Sequence, residues 1–297
     1  RRHTVDTADT RPRTTMLRRH LHYSRHREDA AAATAQALET EGHVLLTGVF
    51  DSHEVASIRE DVDRVFRDYP PDGRVGAPDP PRSEMFRYEM FNRSPLVQTA
   101  IENPRILEAV EPLLGEDCHI IANTSWRNPA DRSSAPDGQQ WHVDGGPHVV
   151  RPPEVSWPEE IPYPVFVVTA QVYLRDVRLE DGPTAILPGS HRSGSLPPHE
   201  RMWDLDLTYE GRGAAVHTAS AGDVTLFVSD TWHRRMPQGE GTRGRDFVQC
   251  IYARREIAPR VLPSERSSAA GPAARERAGT LRQRQLIGLH EPCFYDG

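Results

Sequence analysis

The run Trp141-His142-Val143-Asp144-Gly145-Gly146 puts an imidazole and a carboxylate two residues apart. In an extended strand, residues i and i+2 point to one face, so His142 and Asp144 can address a single point. Two histidines and one carboxylate with open positions form the donor set of oxygen-activating non-haem iron(II). An HxD triplet alone is weak, since a polar strand end running into a Gly-Gly turn reads the same way. A third ligand must come from elsewhere, and His233 fits best. It follows an inward-running apolar stretch, 223–228 (DVTLFV), and its spacing of 89 from Asp144 leaves room for several strands to return to the site. His191, in Pro188-Gly-Ser-His191, is the rival, although its Pro-Gly turn suggests a loop histidine that caps or bonds locally. His148 is expected near the mouth of the site, and His217 at a strand end in solvent. Twelve residues after His233, Arg245 begins another strand-like run in which Phe247, Gln249 and Ile251 continue the alternation. A guanidinium there can fork onto a carboxylate, such as the far end of a 2-oxo dicarboxylic acid chelating the metal. Arg243 is the alternative clamp.

These residues need a rigid scaffold. Residues 28–41 are Ala-rich and helix-favouring, with Gly42 as a stop. Residues 43–49 (HVLLTGV) read as a strand. Asp51 or Ser52 can cap a helix whose apolar face is Val55, Ile58, Val62, Val65 and Phe66. Residues 69–82 form a Pro/Asp/Gly loop, and 94–114 reads as two short helices broken near Asn103-Pro104. From residue 118, short β-type runs at 118–126, 139–144, 164–175, 184–187, 214–217, 223–229 and 245–253 alternate with turn signals, the pattern of a sandwich or barrel. A last helix is expected over 275–284. The fold expected is mainly β with helical additions, a double-stranded β-helix (jelly roll, cupin-like) carrying N-terminal helices. The divisions expected are an arm at 1–27, a catalytic domain at 28–255 with its β core at about 117–255, and an extension at 256–297.

Composition excludes other classes. The 297 residues carry a formal net charge of −7, so no basic surface for nucleic acid is expected. No apolar run reaches the roughly 18–20 residues of a membrane span. All 36 basic residues are Arg, which excludes Schiff-base chemistry on Lys and makes any carboxylate clamp an arginine. Cys118, Cys250 and Cys293 form neither a metal-type pair nor a disulfide framework, as for reduced thiols in a cytoplasmic protein.

Taken jointly, His142-x-Asp144, Gly182-Pro-Thr184, Pro188-Gly-Ser-His191, His233 and Arg245 resemble the phytanoyl-CoA dioxygenase family, over roughly residues 40–255. The resemblance implies Fe(II) held by His142, Asp144 and His233, with 2-oxoglutarate as cosubstrate and O2 as oxidant. It also implies that Arg245 holds the 2-oxoglutarate carboxylate, with Gln139 and Thr184 as further contacts. The stretch after His233 departs from the family's Gly/Ser/Asn-rich pattern, reading Arg234-Arg235-Met236-Pro237.

The activity expected is hydroxylation, desaturation or cyclisation of a small molecule, with bacterial secondary metabolism as the setting. The intact Asp144 argues against halogenation, where a small residue makes room for chloride. Substrate contacts are expected from Met85, Phe86, Arg87, Phe91, Trp126, His148, Trp232 and Arg234, against the blander reading that the aromatics are core and the arginines solvated. A segment at 291–295 could cover the opening. The competing readings are a cupin-like metalloprotein that does not use 2-oxoglutarate and a catalytically silent jelly-roll binding protein. Substrate identity and oligomeric state are not legible.

Overall fold

The computed structural model describes residues 30–71, 85–130, 137–259 and 270–291. The arm at 1–27 and nearly all of 291–295 lie outside these residues. Helix α1 covers 30–41 and ends at Gly42, whose φ of 79° suits glycine. Strand β1 (His43–Leu46) leads to α2 (Ser52–Asp68). The α2 start is a complete capping box: the Asp51 carboxylate accepts from the His53 and Glu54 amides while the Glu54 side chain accepts from the Asp51 amide. Val55, Ile58, Val62 and Val65 are buried on one face, as their spacing predicts.

Strand β2 (Phe86–Tyr88) is followed by α3 (Met90–Arg93), α4 (Pro95–Ala100) and α5 (Pro104–Leu114), then β3 (His119–Asn128) and β4 (Val167–Tyr173). Next come β5 (Thr184–Ile186), β6 (Ala215–His217), β7 (Val224–Val228), β8 (His233–Arg235) and β9 (Arg245–Ala253), with α6 (Pro272–Arg277) and α7 (Leu281–Leu286) closing the described chain. The six-stranded sheet runs β1-β7-β4-β9-β3-β2 and the three-stranded sheet β6-β5-β8, all pairs antiparallel. These are the two sheets of a jelly roll.

The two faces of the large sheet differ in composition. Val168, Ala170, Val172, Val224, Leu226, Val228, Val248, Cys250 and Tyr252 alternate outward into one apolar core with the helices. Each such Val or Leu burial contributes about 1.5–3 kcal/mol. The other face, in register across four strands, carries Thr124, Trp126 and Asn128, then Arg245, Phe247 and Gln249, then Gln171 and Tyr173, then Thr225 and Phe227. A buried face that mixes Arg, Gln, Thr and Tyr with aromatics is lined for a polar guest.

Four expectations need correction. Residues 139–144 form no strand; a single bridge joins His142 to His233, because Gly145 (φ 81°) turns the chain away. Strands β2 (Phe86-Arg87-Tyr88) and β8 (His233-Arg234-Arg235) fall outside the expected runs, since their arginines interrupt the short apolar run that marks the equally short β5 and β6. The last helix is two, interrupted at 278–280, where Thr280 caps α7. His217 is buried, not solvated, and bonds Thr225 Oγ1 at 2.9 Å and His43 Nδ1 at 2.9 Å.

Candidate metal centre

His233 opens β8 on the inward face, between the rings of Phe227 (centroids 4.6 Å) and His142 (4.3 Å). The backbone bridge between His142 and His233, with both N–H···O distances 3.0 Å, holds the two ligand-bearing segments side by side. The Asp144 amide donates to Ser229 O at 3.1 Å, and Ser229 Oγ returns a bond to Asp144 O at 2.6 Å. His142, Asp144 and His233 thus present one ligand atom each within 4.8 Å of one another. Asp144 carboxylate oxygens lie 3.6 Å from His233 Nε2 and 3.9 Å from His142 Nε2.

The ring tautomers follow from the backbone. His142 Nδ1 faces Gln140 O at 2.8 Å and His233 Nδ1 faces Thr231 O at 2.9 Å. A carbonyl oxygen only accepts, so each Nδ1 carries the proton and each Nε2 turns its lone pair to the shared point. Burial, with His142 beside it, pulls His233 down to about 4 against the opposing pull of Asp144, so its imidazole is neutral at neutral pH. The His233 side chain is 6% exposed, whereas His142 and Asp144 are 30% and 24% exposed. The cluster therefore opens to one side, which leaves coordination positions for a guest. Two imidazoles and a carboxylate without thiolate suit a divalent first-row ion such as Fe(II).

The Arg245 guanidinium is buried beside the centre. Its Nε donates to Asn128 Oδ1 at 2.7 Å and its Nη1 to Thr184 Oγ1 at 3.0 Å, and its charge lies 4.9 Å from the Phe247 ring centre. Thr184 passes its own proton to Gln171 Oε1 at 2.9 Å. Burial and the neighbouring Arg235 bring Arg245 down to about 9, and its acceptors Asn128 Oδ1 and Thr184 Oγ1 are neutral. A buried cation so placed is costly unless an anion joins it. Arg243, by contrast, is exposed, and its amide donates to Asp181 Oδ1 at 2.6 Å.

A family comparison completes this picture. The phytanoyl-CoA dioxygenase (PhyH) family matches residues 38–238, more than half of the chain. The chain belongs to the phytanoyl-CoA dioxygenase family. Ectoine dioxygenase of Bordetella bronchiseptica is 25% identical over 227 residues, covering 68% of this chain and 69% of that protein. That of Sphingopyxis alaskensis is 23% identical over the same shares. The epimerase SnoN, solved with Fe3+, alpha ketoglutarate and a nogalamycin ligand, superposes with a TM-score of 0.58 at 21% identity, covering 76% of this chain and 84% of SnoN. HygX of Streptomyces hygroscopicus, solved with nickel, 2-oxoglutarate and hygromycin B, gives 0.55 at 20% identity over 77% and 91%. At these identities the solved structures establish the jelly-roll fold.

Strand parity sorts the remaining family-suggested and pocket residues. Thr184 joins Arg245, while Gln139 is exposed and donates its amide to Arg235 O at 3.0 Å. Phe86 and Trp126 face inward as a ring pair 5.0 Å apart. Arg87 alternates to the outer side, over the Phe66 ring and bonded to Tyr69 O and Phe66 O. Trp232 and Arg234 flank His233 and so point away from it. Trp232 donates to Ser195 O, and Arg234 sits between Trp141 and Trp203 and donates to Trp203 O. Phe91 is in the main core, and Met85 is half-buried beside Asn128. His191 is buried, held at about 4 chiefly by desolvation, and bonded to Glu39 O far away in sequence, outside the ligand cluster.

His148 stands apart. Its Nδ1 lies 2.5 Å from Asp230 Oδ1, its amide donates to Asp230 Oδ2 at 2.9 Å, and Tyr163 Oη donates there at 2.8 Å. This ties the turn after Asp144 to the stretch leading into His233. Asp230, Tyr163, Asn128 and Gln171 carry no motif. Only the register that sets Asn128 opposite Arg245 could have flagged one of them.

Proposed function

We propose that the protein is an Fe(II)- and 2-oxoglutarate-dependent oxygenase that hydroxylates a small-molecule substrate, with His142, Asp144 and His233 as the metal ligands and Arg245 as the clamp for the cosubstrate's far carboxylate. One observation carries the reading: a two-histidine, one-carboxylate cluster open on one side shares the barrel interior with a buried guanidinium whose hydrogen-bond acceptors are neutral. When bound, Fe(II) with 2-oxoglutarate and O2 supplies the oxidising power to break an unactivated C–H bond, 2-oxoglutarate leaving as succinate and carbon dioxide.

The chain's own residues do the rest. Thr231 O and Gln140 O fix the imidazole tautomers, and Ser229 locks the Asp144 backbone. Asn128 and Thr184 orient the Arg245 fork so that it meets a carboxylate without reorganising. Phe247, Trp126 and Phe86 line the interior with apolar surface, which limits water around reactive species. Asp144 keeps the position that a halogenating site would vacate. The ectoine dioxygenases and HygX bear names or ligands of small polar molecules, in keeping with a small substrate and a role in bacterial secondary metabolism.

The test is succinate release over a small-molecule panel, with product mass distinguishing hydroxylation (gain of one oxygen) from desaturation or cyclisation (loss of two hydrogens) and from epimerisation (no change). Fe(II) titration of His142→Ala is the control. Substrate-dependent succinate from the wild type and none from the variant is the outcome expected. Metal binding without 2-oxoglutarate consumption would point instead to a cupin-like metalloprotein.

A further inference from the structure

The Arg234-Arg235-Met236-Pro237 stretch places a second arginine in the barrel. Arg235 lies two residues beyond His233 on β8 and therefore on the same face. In the β5–β8 register it stands opposite Thr184, as His233 stands opposite Ile186. Thr184 Oγ1 is the atom that accepts from Arg245 Nη1, so Arg235 is paired in register with a residue that Arg245 touches, and its charge lies close enough to act on Arg245. Arg235 is 3% exposed.

Its backbone is clamped from both sides. Gln139 N–H donates to Arg235 O at 3.0 Å, and Met236 N–H donates to Pro183 O at 2.8 Å. Gly138, at φ +82°, packs so closely that a Cβ would lie 2.3 Å from Arg235 O, and a Cβ on Gly182, at φ +74°, would lie 2.9 Å from Met236 O. These glycines let two loops press on the end of β8 and aim residue 235 inward. Arg235 has partners of its own, Gly138 O at 3.5 Å among them; what matters is where its charge sits.

We propose that Arg235 is a second guanidinium of the cosubstrate pocket, gripping the terminal carboxylate of 2-oxoglutarate together with Arg245 and so selecting a dicarboxylic over a monocarboxylic 2-oxo acid. A carboxylate has two oxygens, and each can accept from one guanidinium fork. Two buried cations around one point repel, and Arg235 is among the groups that depress Arg245. An incoming carboxylate relieves both at once. The inference rests on the reading of 2-oxoglutarate as cosubstrate at Arg245.

The experiment is calorimetric titration of Ni(II)-loaded protein with 2-oxoglutarate and with 2-oxopentanoate, which has the same carbon chain but ends in a methyl group. In Arg235→Met, 2-oxoglutarate affinity should fall by about tenfold or more, the loss expected of a charge-assisted bond. Binding of 2-oxopentanoate should stay unchanged within experimental error, and so should Ni(II) affinity. Equal binding of 2-oxoglutarate by variant and wild type would overturn the proposal and make Arg235 a strut. Equal weakening of both acids would also overturn it, since the residue would then serve the metal end. If Arg235→Met does not fold, Arg235→Lys decides: its single point charge must lower the ratio of the two affinities, and an unchanged ratio refutes the idea. Failure of the underlying reading looks different, because wild-type protein would then show no preference for 2-oxoglutarate.

Discussion

Asp230→Ala should destabilise the protein by about 3–5 kcal/mol at pH 7, the cost of breaking a buried charged network. The Asp230 side chain is 2% exposed, and its oxygens meet the His148 ring, the His148 amide and the Tyr163 hydroxyl. Truncation leaves an amide and a hydroxyl buried without an acceptor, each costing about 1–3 kcal/mol. Charged hydrogen bonds are worth about 1.5–3 kcal/mol each, but three on one carboxylate do not add fully. Urea unfolding followed by circular dichroism reads this directly. With a slope near 3 kcal/mol per molar, the midpoint should drop by roughly 1–1.7 M.

The pH dependence gives a second check on Asp230. Burial would raise this carboxyl, yet the His148 and Tyr163 bonds and the His148 charge hold it below its ordinary 3.8. A depressed carboxylate contributes stability above its unfolded pKa and loses it as pH falls through the folded value. The gap between wild type and variant should therefore persist down to about pH 4 and close below it. Ni(II) affinity should fall as well, since Asp230 joins the Gly146–His148 turn to the segment carrying His233. A gap under about 1 kcal/mol at pH 7 is what a surface substitution gives; that result, or a gap widening in acid, would refute the argument.

Three further outcomes are expected. His217 is lowered to about 4 by burial and by His43, so the unfolded chain binds the extra proton between about pH 6.5 and 4. Stability should fall through that window, and His217→Gln should flatten the slope; an unaltered slope would remove His217 from the account. Leu226→Ala, fully buried on the outer face of β7, should cost about 2–5 kcal/mol, while Leu179→Ala, 65% exposed, should stay within about 0.5 kcal/mol, both measured by urea unfolding. Burial pushes the Cys250 thiol up to about 12, so alkylation mapped by mass spectrometry should reach it only after denaturation, and rapid labelling in the native protein would contradict its burial.

The clustering of His142, Asp144 and His233 was legible because this donor set is rare and its spacing local: His142-x-Asp144 needs two residues, and a histidine after an apolar strand adds the third. The α2 cap and face, the break at Asn103-Pro104 and strand β9 were legible because caps, prolines and two-residue alternation are written in neighbouring residues. Alternation also favoured Arg245 over Arg243 as the inward residue, and the structure buries the first and exposes the second. What lay beyond the sequence was decided by pairing between distant strands. Whether Trp232 and Arg234 line the cavity depends on the single-residue parity of a three-residue strand, and that parity is set by the bridge from His142 to His233. Arg87 follows the same rule, since opposition to Ser125 on β3 turns it to the helix side. Asp230 with His148, Asn128 with Arg245 and Arg235 with Thr184 are separated by 82, 117 and 51 residues. Local propensity carries no term for contacts at such separations; only the pairing of distant strands and the packing of their loops brings them together.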